Sequence, residues 1–199
     1  DIKKKITNNK IFKIDYFFKN KKYSINSDHD GVYAEIAILT SIFLKSFISN
    51  LELQNFFLNK SILESRGNLI VKSYKSKKLN IYDHSYNASP YSLKKQLMIF
   101  KQRKLMHKLC IIGSMKELGV ESYAHHLEIL KLLSKFCFNK TVLVGEEFYE
   151  LSNLFKSFKF YKSTQSYIKS MDNDLKSSNN IFIMGSRYYR LERVINNVK

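Results

Sequence analysis

The chain is poor in proline, glycine and cysteine. One proline and six glycines in 199 residues leave no Pro/Gly/Ser-rich linker, and no repeat of solenoid period is visible. The two cysteines, Cys110 and Cys137, lack C-x-x-C spacing, which argues against a zinc site or a disulfide framework. Each sits in an apolar run, as buried thiols do, and a reducing cytoplasm is the expected compartment. No segment reaches the roughly 18 apolar residues of a membrane span, so no membrane partner is expected. The opening DIKKKITNNK has charges but no apolar stretch behind them, unlike a signal peptide. It does not begin with Met, and a fragment or a processed product is expected. Neither G-x-x-x-x-G-K-[ST] nor G-x-G-x-x-G occurs, so the chain has no recognisable phosphate cradle of its own.

Acidic residues are also scarce. There are 34 Lys and Arg against 17 Asp and Glu, for a formal charge of +17. Such a balance invites a nucleic-acid reading. Only five of the 34 are arginine, however, and phosphate and base recognition favours the guanidinium fork. The lysines are scattered and no nucleic-acid motif is present, so no nucleic-acid partner is expected. An anionic small substrate fits the charge.

A 44% hydrophobic, 14% aromatic composition supports a packed core in one domain, or one domain plus part of another. From about Asn68 onward, short apolar runs alternate with amphipathic ones. Strands are expected at LIV 69–71, NIY 80–82, KLCIIG 108–113, TVLVG 141–145, FKFY 158–161 and IFIMG 181–185. Helices are expected at 89–100, with Ser89 as N-cap and Pro90 in the first turn, at 122–135, and over EEFYELSNLF, TQSYIKSM and SRYYRLERVINNV. This alternation predicts an α/β fold: a Rossmann-like, mostly parallel sheet with helices on both faces. Its ligands would bind at the carboxyl ends of the strands. Residues 1–67 differ, with two strands at IFKIDYFFK and KKYSIN, a possible hairpin, and then two apolar helices. That is thin for an independent core, so a domain boundary is expected near Arg66-Gly67, giving domains 1–67 and 68–199.

Three stretches follow predicted strands: Asp83-His84-Ser85-Tyr86-Asn87-Ala88-Ser89-Pro90, Gly113-Ser114-Met115-Lys116-Glu117-Leu118-Gly119 with Ser122 and His126, and Met184-Gly185-Ser186-Arg187. Each taken singly reads as a turn. Gathered along one sheet edge, they read as a site.

In this order and spacing the three stretches resemble the C-terminal domain of the Mur ligase family. That family carries D-D-x-Y-N-A-N-P-x-S, then G-x-M-x-E-L-G followed by S-x-x-x-H, then K-G-S-R. Ser65-Arg66-Gly67 is similar to its G-R-G-like interdomain link. Ser27-Asp28-His29-Asp30-Gly31-Val32-Tyr33 stands at its G-x-H-N-x-x-N turn. The resemblance runs from about Asn26 to Val198. It implies an ATP- and Mg2+-dependent amide ligase that adds D-alanyl-D-alanine to a UDP-N-acetylmuramoyl-peptide through an acyl phosphate. Residues 1–67 would be the tail of the central ATP-binding domain, with a missing N-terminal half as partner.

By the same resemblance His29, Arg66 and Asp83 would meet the nucleotide, and Tyr86, Asn87, Ser186 and Arg187 the peptide substrates, with Arg187 at a helix start receiving a carboxylate. A structural contact between Glu117 and His126 is expected to pin the loop after Gly113. The departures are His84 for the second Asp, Ser89 for the second Asn, Met184 for the Lys of K-G-S-R, and Asp30 and Tyr33 for two Asn residues. A related ligase adding a single amino acid, or a non-catalytic binding remnant, are the alternatives.

Overall fold

The computed structural model describes residues 3–8, 12–18, 21–27, 40 and 65–198, and the chain divides into two compact units, Asp1–Ile62 and Leu63–Lys199. His29, Asp30, Tyr33 and the two helices expected after them lie outside the described residues, apart from Thr40.

The first unit contains an antiparallel meander of β1 (Lys3–Asn8), β2 (Phe12–Phe18) and β3 (Lys21–Ser27). The β2–β3 hairpin is the one the sequence pointed to, whereas β1 is additional. Asp15 and Ser24 are directly opposite in the register. Ser24 donates its hydroxyl to Asp15 Oδ1 at 2.7 Å, and Lys22 pairs with Oδ2 at 2.9 Å. This is the cross-strand pairing that stabilises an antiparallel ladder.

The second unit is a six-stranded sheet in the order β4-β5-β9-β6-β7-β8. Its strands are β4 (Asn68–Tyr74), β5 (Lys77–His84), β6 (Lys108–Gly113), β7 (Lys140–Val144), β8 (Lys159–Tyr161) and β9 (Asn180–Met184). Neighbours from β5 to β8 are parallel, and only the edge strand β4 is antiparallel. The β4–β5 hairpin closes on Lys75 and Ser76, both at positive φ (45° and 68°). That is the twist a two-residue hairpin demands, here adopted without glycine.

Every residue of β6 and β9 is buried, as expected of central parallel strands covered on both faces. Alternation sends Leu109, Ile111, Ile181 and Ile183 to one face, and Cys110, Ile112 and Phe182 to the other. The first face is covered by α4 (Thr164–Ile168), α5 (Asp172–Lys176) and α6 (Glu192–Asn196), the second by α1 (Pro90–Gln102), α2 (Ser122–Phe136) and α3 (Glu146–Glu150). The expected fold class is the observed one.

Local chemistry sets the element ends. The Ser89 hydroxyl accepts the Ser92 N–H, with Pro90 in the first turn of α1. The buried Lys108 ammonium donates to the carbonyls of Phe100, Lys101 and Arg103, closing the same helix at its other end. The expected final helix over SRYYRLERVINNV is not continuous. It is a single 3₁₀ turn (Arg187–Tyr189), then Arg190 at φ 48°, then α6. The left-handed Arg190 breaks the helical ladder between the two pieces.

Ser65-Arg66-Gly67 belongs to the second unit. Gly67 donates its N–H to the Asp83 carbonyl at 2.6 Å, and Tyr86 donates to the Ser65 carbonyl at 3.1 Å. Ser65 and Gly67 both sit at positive φ (62° and 106°), so the chain turns sharply onto the end of β5 and lies along it. The compact unit therefore begins a few residues before the boundary expected from sequence.

Candidate functional site

The carboxyl ends of β5, β6, β7 and β9 converge on one edge, and small residues let them do so. A Cβ on Gly185 would lie 2.7 Å from the Gly113 Cα, and one on Gly145 would lie 2.4 Å from the Ser114 hydroxyl oxygen. Ser114 laces this edge together. Its N–H donates to the Val144 carbonyl at 2.8 Å, its carbonyl accepts from Ser186 N–H at 3.2 Å, and its hydroxyl oxygen accepts from Phe148 N–H at 3.1 Å.

Beside this edge, where β4 and β5 meet α6, lies a pocket of about 730 Å3 whose lining includes Arg66, Asn68, Asp83, Tyr86, Arg187 and Glu192. At its mouth the Tyr86 ring, 41% exposed, carries the Arg66 guanidinium 4.1 Å from its centroid and the Arg187 guanidinium at 5.6 Å. Guanidinium groups are attracted to an aromatic face and are weakly hydrated, so the ring holds two cations with their N–H forks still available. Arg187 stands 3.9 Å from Glu192, the outer limit of an ion pair. Among the described residues Arg66 has no carboxylate partner within 4.0 Å.

Asp83 is buried, and its Oδ1 accepts both the N–H (2.9 Å) and the hydroxyl (2.7 Å) of Ser85. Its own turn thus occupies one oxygen and orients the other. Asn68 Oδ1 and Glu192 Oε2 are shut off from water and accept no hydrogen bond among the described residues. Unpaired buried acceptors of this kind cost about 1–3 kcal/mol each, and both belong to pocket-lining residues.

Four of the residues singled out from sequence, Arg66, Asp83, Tyr86 and Arg187, come together here. Asn87 and Ser186 do not line the pocket. Asn87 is exposed, with its side-chain oxygen on the Ala88 N–H at 2.9 Å. Ser186 is buried, with its hydroxyl oxygen accepting Tyr188 N–H at 3.4 Å. Arg187 opens a one-turn 3₁₀ segment rather than a helix, so its anion-binding capacity is that of its side chain and not of a helix terminus. His84 packs its ring 5.3 Å from Phe182, and Met184 is buried in the apolar cluster beneath α1 and α2.

Further along the edge, the expected contact between Glu117 and His126 is absent. Glu117 is exposed at φ 66°, and the fully buried His126 accepts the Met115 backbone N–H at Nε2, 3.0 Å away. Its Nδ1 lies 2.7 Å from the Ser122 carbonyl. A backbone N–H can only donate and a carbonyl can only accept, so the ring is neutral with its proton on Nδ1. Burial pushes its pKa down. The loop is pinned as expected, by a different partner.

A cluster with no motif in the sequence completes the edge. Lys116 Nζ meets Glu147 Oε1 at 2.5 Å, and the Tyr189 hydroxyl donates to Glu147 Oε2 at 2.6 Å. Burial pushes the Glu147 carboxyl up, but the Lys116 and Tyr189 hydrogen bonds outweigh it and the net shift is downward. The Tyr189 phenol is pushed up to about 12, first by burial and then by its bond to Glu147. No short-range signal links these residues, which come from three different strand ends. Among the described residues no group of three or more His, Cys, Asp or Glu side chains could hold a metal ion, and no helix is long and apolar enough to cross a membrane.

Comparison with known proteins bears on the chain's sequence and fold. No protein-family model matches the chain. The UDP-N-acetylmuramoyl-tripeptide--D-alanyl-D-alanine ligase of Borreliella burgdorferi is 28% identical over 192 residues, covering 93% of this chain and 40% of that protein. A crystal structure of MurF from Acinetobacter baumannii superposes with a TM-score of 0.80 at 17% identity, over 95% of this chain and 42% of that one. A MurF ligase from Thermotoga maritima in complex with ADP gives 0.74 at 19% identity, over 99% and 45%. In sequence the chain is similar to part of a Mur ligase, and its fold is that of the corresponding part of such ligases. The curated relative and the two structures named here are of one member, MurF, the ligase of UDP-N-acetylmuramoyl-tripeptide and D-alanyl-D-alanine. The chain spans about two-fifths of the length of the proteins it matches.

Proposed function

We propose that the chain is the C-terminal, substrate-positioning part of an ATP-dependent amide ligase that joins D-alanyl-D-alanine to a UDP-N-acetylmuramoyl-tripeptide in peptidoglycan precursor synthesis, in the cytoplasm. The observation that carries this reading is the pocket, where two arginines share one tyrosine ring beside a buried aspartate, in a chain similar to such ligases over nearly its whole length. Residues 1–67 would be the end of the central, nucleotide-binding domain, and the phosphate loop that this chain lacks would come from the rest of the enzyme.

In such a reaction a substrate carboxylate takes a phosphoryl group from ATP. The acceptor amine then attacks the acyl carbon, losing a proton as phosphate departs. Two tasks fall to the residues described here. One is to neutralise charge where phosphoryl and carboxylate meet, and exposed guanidinium groups supply this. The other is to hold the amine near the acyl carbon. In this proposal Arg66 and Asp83, together with His29 in the first unit, serve the nucleotide, with Asp83 accepting from the ribose. Tyr86 and Arg187 serve the peptide substrates, and Asn87 and Ser186 support them from the turns on either side. Magnesium is expected from the resemblance, but no ligand set for it occurs among the described residues, and no role here depends on it.

A second reading, a non-catalytic binding remnant, is favoured by Met184, which buries a thioether where the resembled motif has a lysine. Product analysis separates the readings. The chain is combined with the portion of a MurF ligase that it does not match, and offered D-alanyl-D-alanine or single amino acids as acceptors with ATP. A mass increment of the dipeptide on the UDP-linked tripeptide supports the proposal. An increment of one amino acid shifts it to a different ligase, and no increment supports the remnant.

A further inference from the structure

By resemblance Arg66 and Arg187 would serve different ligands, a nucleotide and a carboxylate. Their geometry is different. Both guanidinium groups rest against the single Tyr86 ring, at 4.1 and 5.6 Å from its centroid, which keeps their carbons within about 10 Å of each other. Both side chains are exposed, so a ligand can reach them. Among the described residues only one carboxylate, Glu192, stands near either, 3.9 Å from Arg187. The other acid of the pocket, Asp83, is buried and turned onto Ser85.

We infer that Arg66 and Arg187 act as one clamp, assembled by Tyr86, that receives a single phosphoryl-bearing anion. Two like charges held by one neutral ring repel each other, and an anion between them removes that repulsion while filling both forks. A phosphoryl group offers three oxygens and more than one charge, so it satisfies two guanidinium groups, whereas a lone carboxylate is filled by one bidentate arginine. Tyr86 is then a positioning residue. It needs its ring, because the ring face holds the cations, and it does not need its hydroxyl. This deepens the proposed function and rests on it only for the source of the phosphoryl group, nucleotide or acyl phosphate.

The test is site-resolved modification of the intact 199-residue chain by an arginine-directed dicarbonyl reagent, with rates at each arginine read by peptide mass spectrometry. The probes are inorganic phosphate, ADP and D-alanyl-D-alanine, and Arg190 and Arg193 are internal controls. The expected result is that phosphate or ADP slows modification of Arg66 and Arg187 together, by about tenfold, at one common ligand concentration. ADP acting where phosphate does not identifies the nucleotide as the source, and phosphate acting alone identifies the free phosphoryl group. Tyr86→Phe keeps the joint protection. Tyr86→Leu abolishes it while leaving circular dichroism and the melting transition unchanged. Protection of Arg66 by one probe and Arg187 by another, or protection of neither by any probe, overturns the clamp. So does joint protection that survives in Tyr86→Leu. Dipeptide transfer by the reconstituted ligase reads out the proposed function independently of every one of these outcomes.

Discussion

The backbone N–H of Met115 donates to Nε2 of His126 at 3.0 Å, and through that bond helix α2 holds the loop that follows β6. The ring is fully buried and neutral, set edge-to-face with Phe148 at 4.7 Å between ring centroids. Burial lowers the His126 pKa from its ordinary value of 6.5, so the unfolded chain binds a proton at higher pH than the folded one. The contribution to stability is therefore complete above about 6.5 and falls as the pH drops toward the folded-state pKa. Urea unfolding at pH 7.5 and 5.5 checks this, with a lower midpoint expected at 5.5. His126→Leu removes this part of the pH dependence. It also costs about 1–3 kcal/mol at pH 7.5, because the Met115 N–H is left buried without an acceptor.

Tyr189 gives a pH dependence at the other end of the scale. Its phenol is pushed up to about 12 by burial and by its bond to Glu147. A raised pKa means that its contribution is complete below the unfolded value near 10 and is lost as the pH rises from 10 toward 12. Ultraviolet titration of the folded protein is expected to lose one late-ionising phenol in Tyr189→Phe. The same variant loses about 1 kcal/mol at pH 7 by chemical denaturation.

Two glycines on the same edge have opposite reasons to be glycine. A Cβ on Gly185 would meet the Gly113 Cα at 2.7 Å and Leu191 Cδ1 at 2.8 Å. The backbone on the far side cannot move without parting β6 from β9. Gly185→Ala is expected to cost about 3 kcal/mol, the upper end of overpacking. Gly119 faces open space at φ 53°, so Gly119→Ala costs only the left-handed conformation, about 1 kcal/mol. Melting temperatures of the two variants rank them. Equal losses would mean that the close approach of the two strand ends is not what fixes Gly185.

Much of the fold was readable in the sequence because it is written locally. Ser89-Pro90 announces α1, and the apolar run of Lys108–Gly113 announces a strand buried on both faces. What escaped depends on partners distant in sequence or on unusual backbone. The Lys75-Ser76 turn carries none of the Asn or Gly that marks a two-residue hairpin, so β4 and β5 were seen as strands but not as an antiparallel pair. Arg190 enters the left-handed region without glycine, and the final helix was expected to be continuous. At the site, the motif order pointed to Arg66, Asp83, Tyr86 and Arg187, which meet in one pocket. Glu192 was missed, because a lone acid near the chain end has no local pattern. The pairing of Lys116 with Glu147 was missed for a different reason, since strand order alone brings them together. The Glu117–His126 contact was expected as a carboxylate–imidazole pair pinning the loop, but the Met115 N–H, facing the buried imidazole, takes that nitrogen instead.

Under the proposed function, this chain completes an amide ligase. The most direct test of this is ADP release with D-alanyl-D-alanine and the UDP-linked tripeptide, comparing the unmatched portion of a MurF ligase alone with the same portion plus this chain. Dipeptide-dependent ADP release is expected only when the chain is added, reduced by about tenfold or more in Arg187→Gln, which withdraws a guanidinium from the transferred charge. Release no greater than that of the unmatched portion alone would contradict it.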